Sequence, residues 1–248
     1  MSDGSIAIDG QPVATAASSI GAEDVPDLSP LAQDALRRLL RVWIQFERDL
    51  VTVPILRRLD LGTYTLADHR RLLLNMRQQV IEGSRWIARA ASSMDRDHSA
   101  LRSLVLRHAV DEHRDYSMLE QDYVAAGGDL ATIQERHKNV GSEAFHGFMM
   151  HRASQPNPVD MLGAMWIIEG LGERMASGWS ARMEDLCERE GITRFMAYHG
   201  EHDGDHMQKF YAMLDDVCSD EDVVRRIETT AKVVARLYRL QLEEVDDE

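Results

Sequence analysis

Tyr198-His199-Gly200-Glu201-His202-Asp203-Gly204-Asp205-His206, read with the earlier Ile168-Glu169-Gly170, is the stretch on which the fold turns. His199, Asp203 and His206 stand at i, i+4 and i+7, so on a helix all three side chains leave from one face. An earlier region repeats the pattern, with Ile81-Glu82-Gly83 followed by His108, Glu112 and Asp115 at the same spacing. From Glu82 to His108 is 26 residues and from Glu169 to His199 is 30, enough in each case to finish one helix, turn and run back along the next. The chain therefore reads as two copies of a helix pair. Helical bundles build two-iron or two-manganese carboxylate sites from facing pairs of this kind, each giving a lone Glu and a carboxylate-and-His element.

Outward from these motifs, apolar residues recur at three and four spacing and no alternating strand pattern intervenes, so the chain reads as an all-α, single-domain bundle of about seven helices. A first helix starts near Leu31 and is interrupted near Pro54, and Gly62 marks the following loop. Thr65 with Asp68 forms a capping box for a second helix, to about Ser92. A third runs from about Asp97 to Ala126, where Gly127-Gly128 ends it. A fourth, broken at Gly141, precedes Pro156-Asn157-Pro158, with Asn157 as N-cap and Pro158 as first position of a fifth helix that ends near Gly191. Thr193 caps the sixth, and Ser219 with Asp222 caps a seventh running to about Leu242. The helical domain is thus 31–242, preceded by a flexible leader over 1–30 rich in Ser, Ala, Gly, Asp and Pro, and followed by an acidic tail over 243–248, read as solvated surface or frayed end.

The 248 residues carry 42 acidic against 28 basic side chains, a net charge of −14 without a basic stripe. That balance argues against nucleic acid and anionic membrane surfaces as partners. No segment has the length and apolarity of a membrane span or the layout of a signal peptide, which points to a cytoplasmic protein. Cys187 and Cys218 have no metal or redox spacing and suit a reducing compartment. Phosphate-binding, dinucleotide and nucleophile-elbow motifs are absent from the sequence.

The candidate ligands differ in setting. Glu169 shares its helix face with Leu162, Met165, Trp166, Gly172 and Ala176, so its carboxylate is expected inside, where it requires a partner such as a metal ion, a proton or a cation. His199, Asp203 and His206 share a face with Phe195, Met196 and Phe210, and His108, Glu112 and Asp115 with Leu101, Leu104, Val105 and Leu119. Glu82 has two readings: a ligand, or a surface glutamate paired with Arg85 or Arg89 at helical spacing. The glycine beside it would let a neighbouring helix or a substrate approach. His113 falls off the ligand face, His202 competes with its neighbours, and His146 and His151 lack a carboxylate at helical spacing.

With Gly163-Ala164-Met165-Trp166-Ile167-Ile168-Glu169-Gly170-Leu171-Gly172 and the 198–207 stretch in view, the chain resembles the heme-oxygenase-like diiron oxidases, which share their fold with thiaminase II and pyrroloquinoline quinone synthase. The resemblance follows helix order over about Leu31 to Leu242, and its specific part is Glu169 to His206. It implies two non-heme irons, or manganese, held by Glu82, His108, Glu112, Asp115, Glu169, His199, Asp203 and His206. Asp115 stands where the family usually has His, which puts the number of metals in question unless His108 supplies the nitrogen. The implied activity is O2-dependent oxidation or oxygenation of a small molecule such as an amino acid, amine or fatty acid, in specialised metabolism. O2 and that substrate are the expected partners, and a homodimer is compatible with the fold. Two rivals stand beside it: a metal-free oxidase of the quinone-synthase type, with histidines as acids and bases, and a non-catalytic helical binding or regulatory protein.

Overall fold

A computed structural model describes residues 7–8, 11–12 and 27–247, without the side chains of 7–8, 11–12 and 202–206. Ala7–Ile8 and Gln11–Pro12 form a minimal antiparallel pairing, and the rest of the expected leader up to residue 26 lies outside the described residues. Beyond it, the described residues form helices joined by short connections. Helix α1 (Pro30–Leu50) opens with proline at its first position and Ser29 as N-cap, and buries Leu36, Leu39, Trp43, Phe46 and Leu50 at three and four spacing. Pro54 stops it and opens the short α2 (Pro54–Asp60). The capping box of α3 (Leu66–Ser92) forms as read, Asp68 N–H donating to Thr65 Oγ1 at 3.2 Å and Thr65 N–H to Asp68 Oδ2 at 2.9 Å.

The expected third helix is broken. Helix α4 (Ser99–Asp111) gives way to a tighter 3-10 turn over Glu112–Arg114 before α5 (Tyr116–Ala125) begins. His108, Glu112 and Asp115 therefore do not share one continuous helix face. The expected fourth helix divides before Gly141, into α6 (Leu130–Glu135) and α7 (Val140–Ala153), with Asn139 capping the second. Asn157 does not serve as an N-cap. Its φ of +47° is left-handed, its side chain is bound to Asp95, and a 3-10 turn intervenes before α8 (Leu162–Leu171). A π-helical turn over Gly172–Ala176 joins α8 to α9 (Ser177–Cys187).

Helix α10 (Arg194–Val217) starts after Thr193, but Thr193 gives it no side-chain cap. The cap comes instead from Asp122 on α5, which accepts from the Arg194 and Phe195 N–H groups at 3.0 Å each. Helix α11 (Glu221–Glu243) is capped by Asp220, one residue past Ser219. It is the central post, packing on α1, α7 and α8. At its crossing with α8, a Cβ on Gly163 would lie 2.2 Å from the Ile227 carbonyl oxygen, so only glycine permits the approach. Within the acidic ending a 3-10 turn over Glu244–Asp246 buries Val245, and Asp246 pairs with Arg58 at 2.8 Å. Among the described residues, no helix is long and apolar enough to cross a membrane.

Candidate metal centre

The break in the third helix is what assembles the centre. His108 sits in the last turn of α4, Glu112 opens the 3-10 turn and Asp115 immediately precedes α5, so three ligand types fan out across a bend. Glu169 enters from α8, just before the π-helical turn, a feature that recurs at functional sites. His199 enters from α10. Asp115, Glu169 and His199 are buried, and His108 and Glu112 are half-buried.

Two groups of ligand atoms converge, His108 with Glu112 and Glu169, and Glu112 with Asp115 and His199, and within each group the atoms lie within 4.8 Å of one another. Glu112 belongs to both. His108 Nε2 is 3.2 Å from Glu169 Oε1, and His199 Nε2 is 3.3 Å from Asp115 Oδ2. Each group therefore has one imidazole, and the aspartate at 115 does not leave either without nitrogen. Burial, then the negative charge of Glu169, push the Glu112 carboxyl up to about 7, against the opposing pull of His199 and His108. Crowded carboxylates of this kind are relieved by a cation.

Asp122 holds this geometry from behind. By capping α10 from α5 it ties the helix that Asp115 precedes to the helix that carries His199. Burial pushes its carboxyl up to about 6 although two backbone N–H groups pull the other way. Single-sequence reading missed this residue because its partner is 72 positions away; the polar side chain in an otherwise apolar face of α5 was the available signal.

Glu82 is in neither group among the described residues. Its Oε1 accepts from Lys138 Nζ at 2.9 Å and its Oε2 from Arg85 at 2.6 Å. Burial would push this carboxyl up, but Lys138, then His146 and Arg85, more than offset it and hold it below the ordinary value. Glu82 is buried rather than on the surface; it pairs with Arg85 at helical spacing and with Lys138, a partner that helical spacing could not supply. The side chains of Asp203 and His206 lie outside the described residues, although both positions are within α10. His113 is exposed, and His146 accepts from the Trp86 indole N–H at 3.0 Å. Burial pushes both thiols, Cys187 and Cys218, up to about 11, so neither is an activated nucleophile.

The centre opens into a cavity of about 270 Å³ whose walls are mainly Leu, Met, Val, Ile and Trp side chains from α3, α4 and α8. His108, Glu112, Glu169 and His199 all reach it.

No family model and no curated protein matches the chain. Solved structures do. A domain of unknown function with a heme oxygenase-like fold from Shewanella denitrificans is 16% identical, with a TM-score of 0.78 over 83% of this chain and 89% of that one. A TenA homolog from Pseudomonas syringae pv. tomato is 11% identical, with a TM-score of 0.74 over 91% of this chain and 100% of its own. A TenA homologue from P. horikoshii is 12% identical, with a TM-score of 0.64 over 87% and 97%. The chain has the heme-oxygenase-like fold, as the resemblance implied. At these identities the likeness establishes the architecture and leaves the chemistry to the site.

Proposed function

We propose that the chain is an O2-dependent, non-heme diiron oxidase or oxygenase that acts on a small organic molecule held in the cavity. Glu112 carries this reading, because a carboxylate common to two converging donor groups is what a bridging ligand between two cations requires. Carboxylate and imidazole donors without thiolate suit iron or manganese. His108, Glu112 and Glu169 would hold one ion, and Glu112, Asp115 and His199 the other. The resemblance adds Asp203 and His206, four and seven residues past His199, to the proposed ligands.

Bound iron would supply the electron transfers that couple O2 reduction to oxidation of an organic molecule. The residues do the rest. Glu112 would give up its proton to bind a cation, so loading the centre should release protons. The apolar walls keep water from the centre and orient the substrate over it. One observation favours a metal-free enzyme instead: the contacts His108–Glu169 and His199–Asp115 are imidazole–carboxylate pairs able to act as acids and bases. The two readings separate on anaerobic loading with Fe(II) followed by O2. The diiron reading expects rapid O2 uptake with a transient visible absorbance, both lost in His199→Ala. A wild type that takes up neither iron nor O2 moves the acid–base reading to the front.

A further inference from the structure

Glycine inside a helix costs stability relative to alanine, and it persists where a neighbour needs the room. Gly163 meets that condition and Gly83 does not. Gly83 lies in the middle of α3, and no atom comes within 4 Å of where its Cβ would stand. Gly147 and Gly178 have similar open space, but both are exposed and neither borders the cavity. Gly83 does border it, in the α3 stripe formed with Gln79, Val80, Trp86 and Ile87. The missing side chain is therefore cavity volume.

We propose that Gly83 is the specificity-determining residue of this cavity, and that the ligand it admits is an elongated aliphatic molecule. The walls decide the class. Polar groups gather where the metal centre reaches the cavity and at an exposed rim of Arg107, Asp111 and Lys209. Along the α3 wall the polar side chain is Gln79, whose Oε1 already accepts from Gln241 at 2.9 Å. A ligand polar along its length, such as a free amino acid, would bury its polar groups against Leu and Met without partners. An aliphatic chain loses nothing there and gains by leaving water. The cavity of about 270 Å³ has room for several methylene-sized groups in a row.

The inference rests on the proposed function only in taking this cavity as the substrate's, and its test needs no metal. The metal-free protein is titrated with straight-chain primary alcohols of increasing length, binding being read from the fluorescence of Trp86 and Trp179, which border the cavity. Wild-type affinity should rise with each carbon and level off once the chain fills the cavity. In Gly83→Leu the plateau should move to shorter chains, with at least a tenfold loss for the longest alcohol and little change for the shortest. Gly83→Ala should fall between, and the melting temperatures of both variants should not drop. An unchanged length profile in Gly83→Leu, a loss equal at every length with a lowered melting temperature, or a wild type that binds none of the alcohols would each overturn the proposal. Iron uptake is measured separately: failure there with the length profile intact sinks the metal reading and leaves this one standing.

Discussion

The same three residues, Ile-Glu-Gly, occur at 81–83 and at 168–170, and the fold puts them to different uses. In the second copy Glu169 is buried beside His108, and a Cβ on Gly170 would meet the Trp43 ring at 3.2 Å. The carboxylate serves the centre and the glycine serves packing. In the first copy Glu82 is neutralised by Lys138 and Arg85, while Gly83 faces open cavity. Identical local sequence acquires its role from what crosses it. Helix α8 is crossed by α11 and meets the Trp43 ring of α1, whereas a cation from the loop before α7 reaches α3.

The contrast can be broken at several points. The largest effect is expected on metal affinity. Glu169→Ala should weaken Fe(II) binding by more than about 100-fold, beyond what loss of an outer-shell partner costs. Glu82→Gln should leave it within a few-fold, and calorimetric titration would compare the two. If both variants lost metal equally, Glu82 would have to exchange Lys138 for a metal ion on loading.

Proton linkage in the metal-free protein should come next. The folded Glu112 carboxyl titrates at about 7 rather than 4.5, so between those values the native state holds the extra proton. Stability should therefore fall as pH rises from about 4.5 to 7, by on the order of 2 kcal/mol. In Glu112→Gln the fall in denaturation midpoint over that range should be smaller, the remainder coming from Asp122, whose carboxyl is raised to about 6. Glu82 has the opposite sign. Its carboxyl lies below 4.5 in the folded state, so its contribution is present above 4.5 and is lost as pH falls through the lowered value.

A smaller effect should follow from Glu82→Gln itself. Removing the charge leaves the half-buried Lys138 ammonium without its carboxylate, and urea denaturation should show a loss of about 1–2 kcal/mol. The smallest pair carries a change of sign. Gly83→Ala should stabilise by about 0.5–1 kcal/mol, since it improves helix propensity and meets nothing. Gly170→Ala should destabilise by about 1 kcal/mol, because Trp43 is pinned beneath Arg174 at 4.4 Å and has little room to yield.

Much of this architecture was legible in the residues. The helix order, the Thr65–Asp68 capping box and the inward faces of Glu169 and His199 follow from spacing and short-range chemistry, which a single sequence records directly. What escaped was set by distant partners. The bend at Glu112–Arg114 has no glycine or proline to announce it, and it replaces the shared face expected for His108, Glu112 and Asp115. Asp122 took the capping role from Thr193 across tertiary space, and Lys138 claimed Glu82 from another element. Helical period identifies what a face carries, but not which cation or helix end will be waiting opposite it.

The central claim is that one carboxylate, Glu112, serves two metal positions, and metal content after anaerobic Fe(II) loading and desalting tests it most directly. The account predicts about two irons per chain for the wild type, about one for Asp115→Ala, and well under one for Glu112→Ala, because removing a shared ligand weakens both positions. Two irons retained in Glu112→Ala, or none in the wild type, would contradict it.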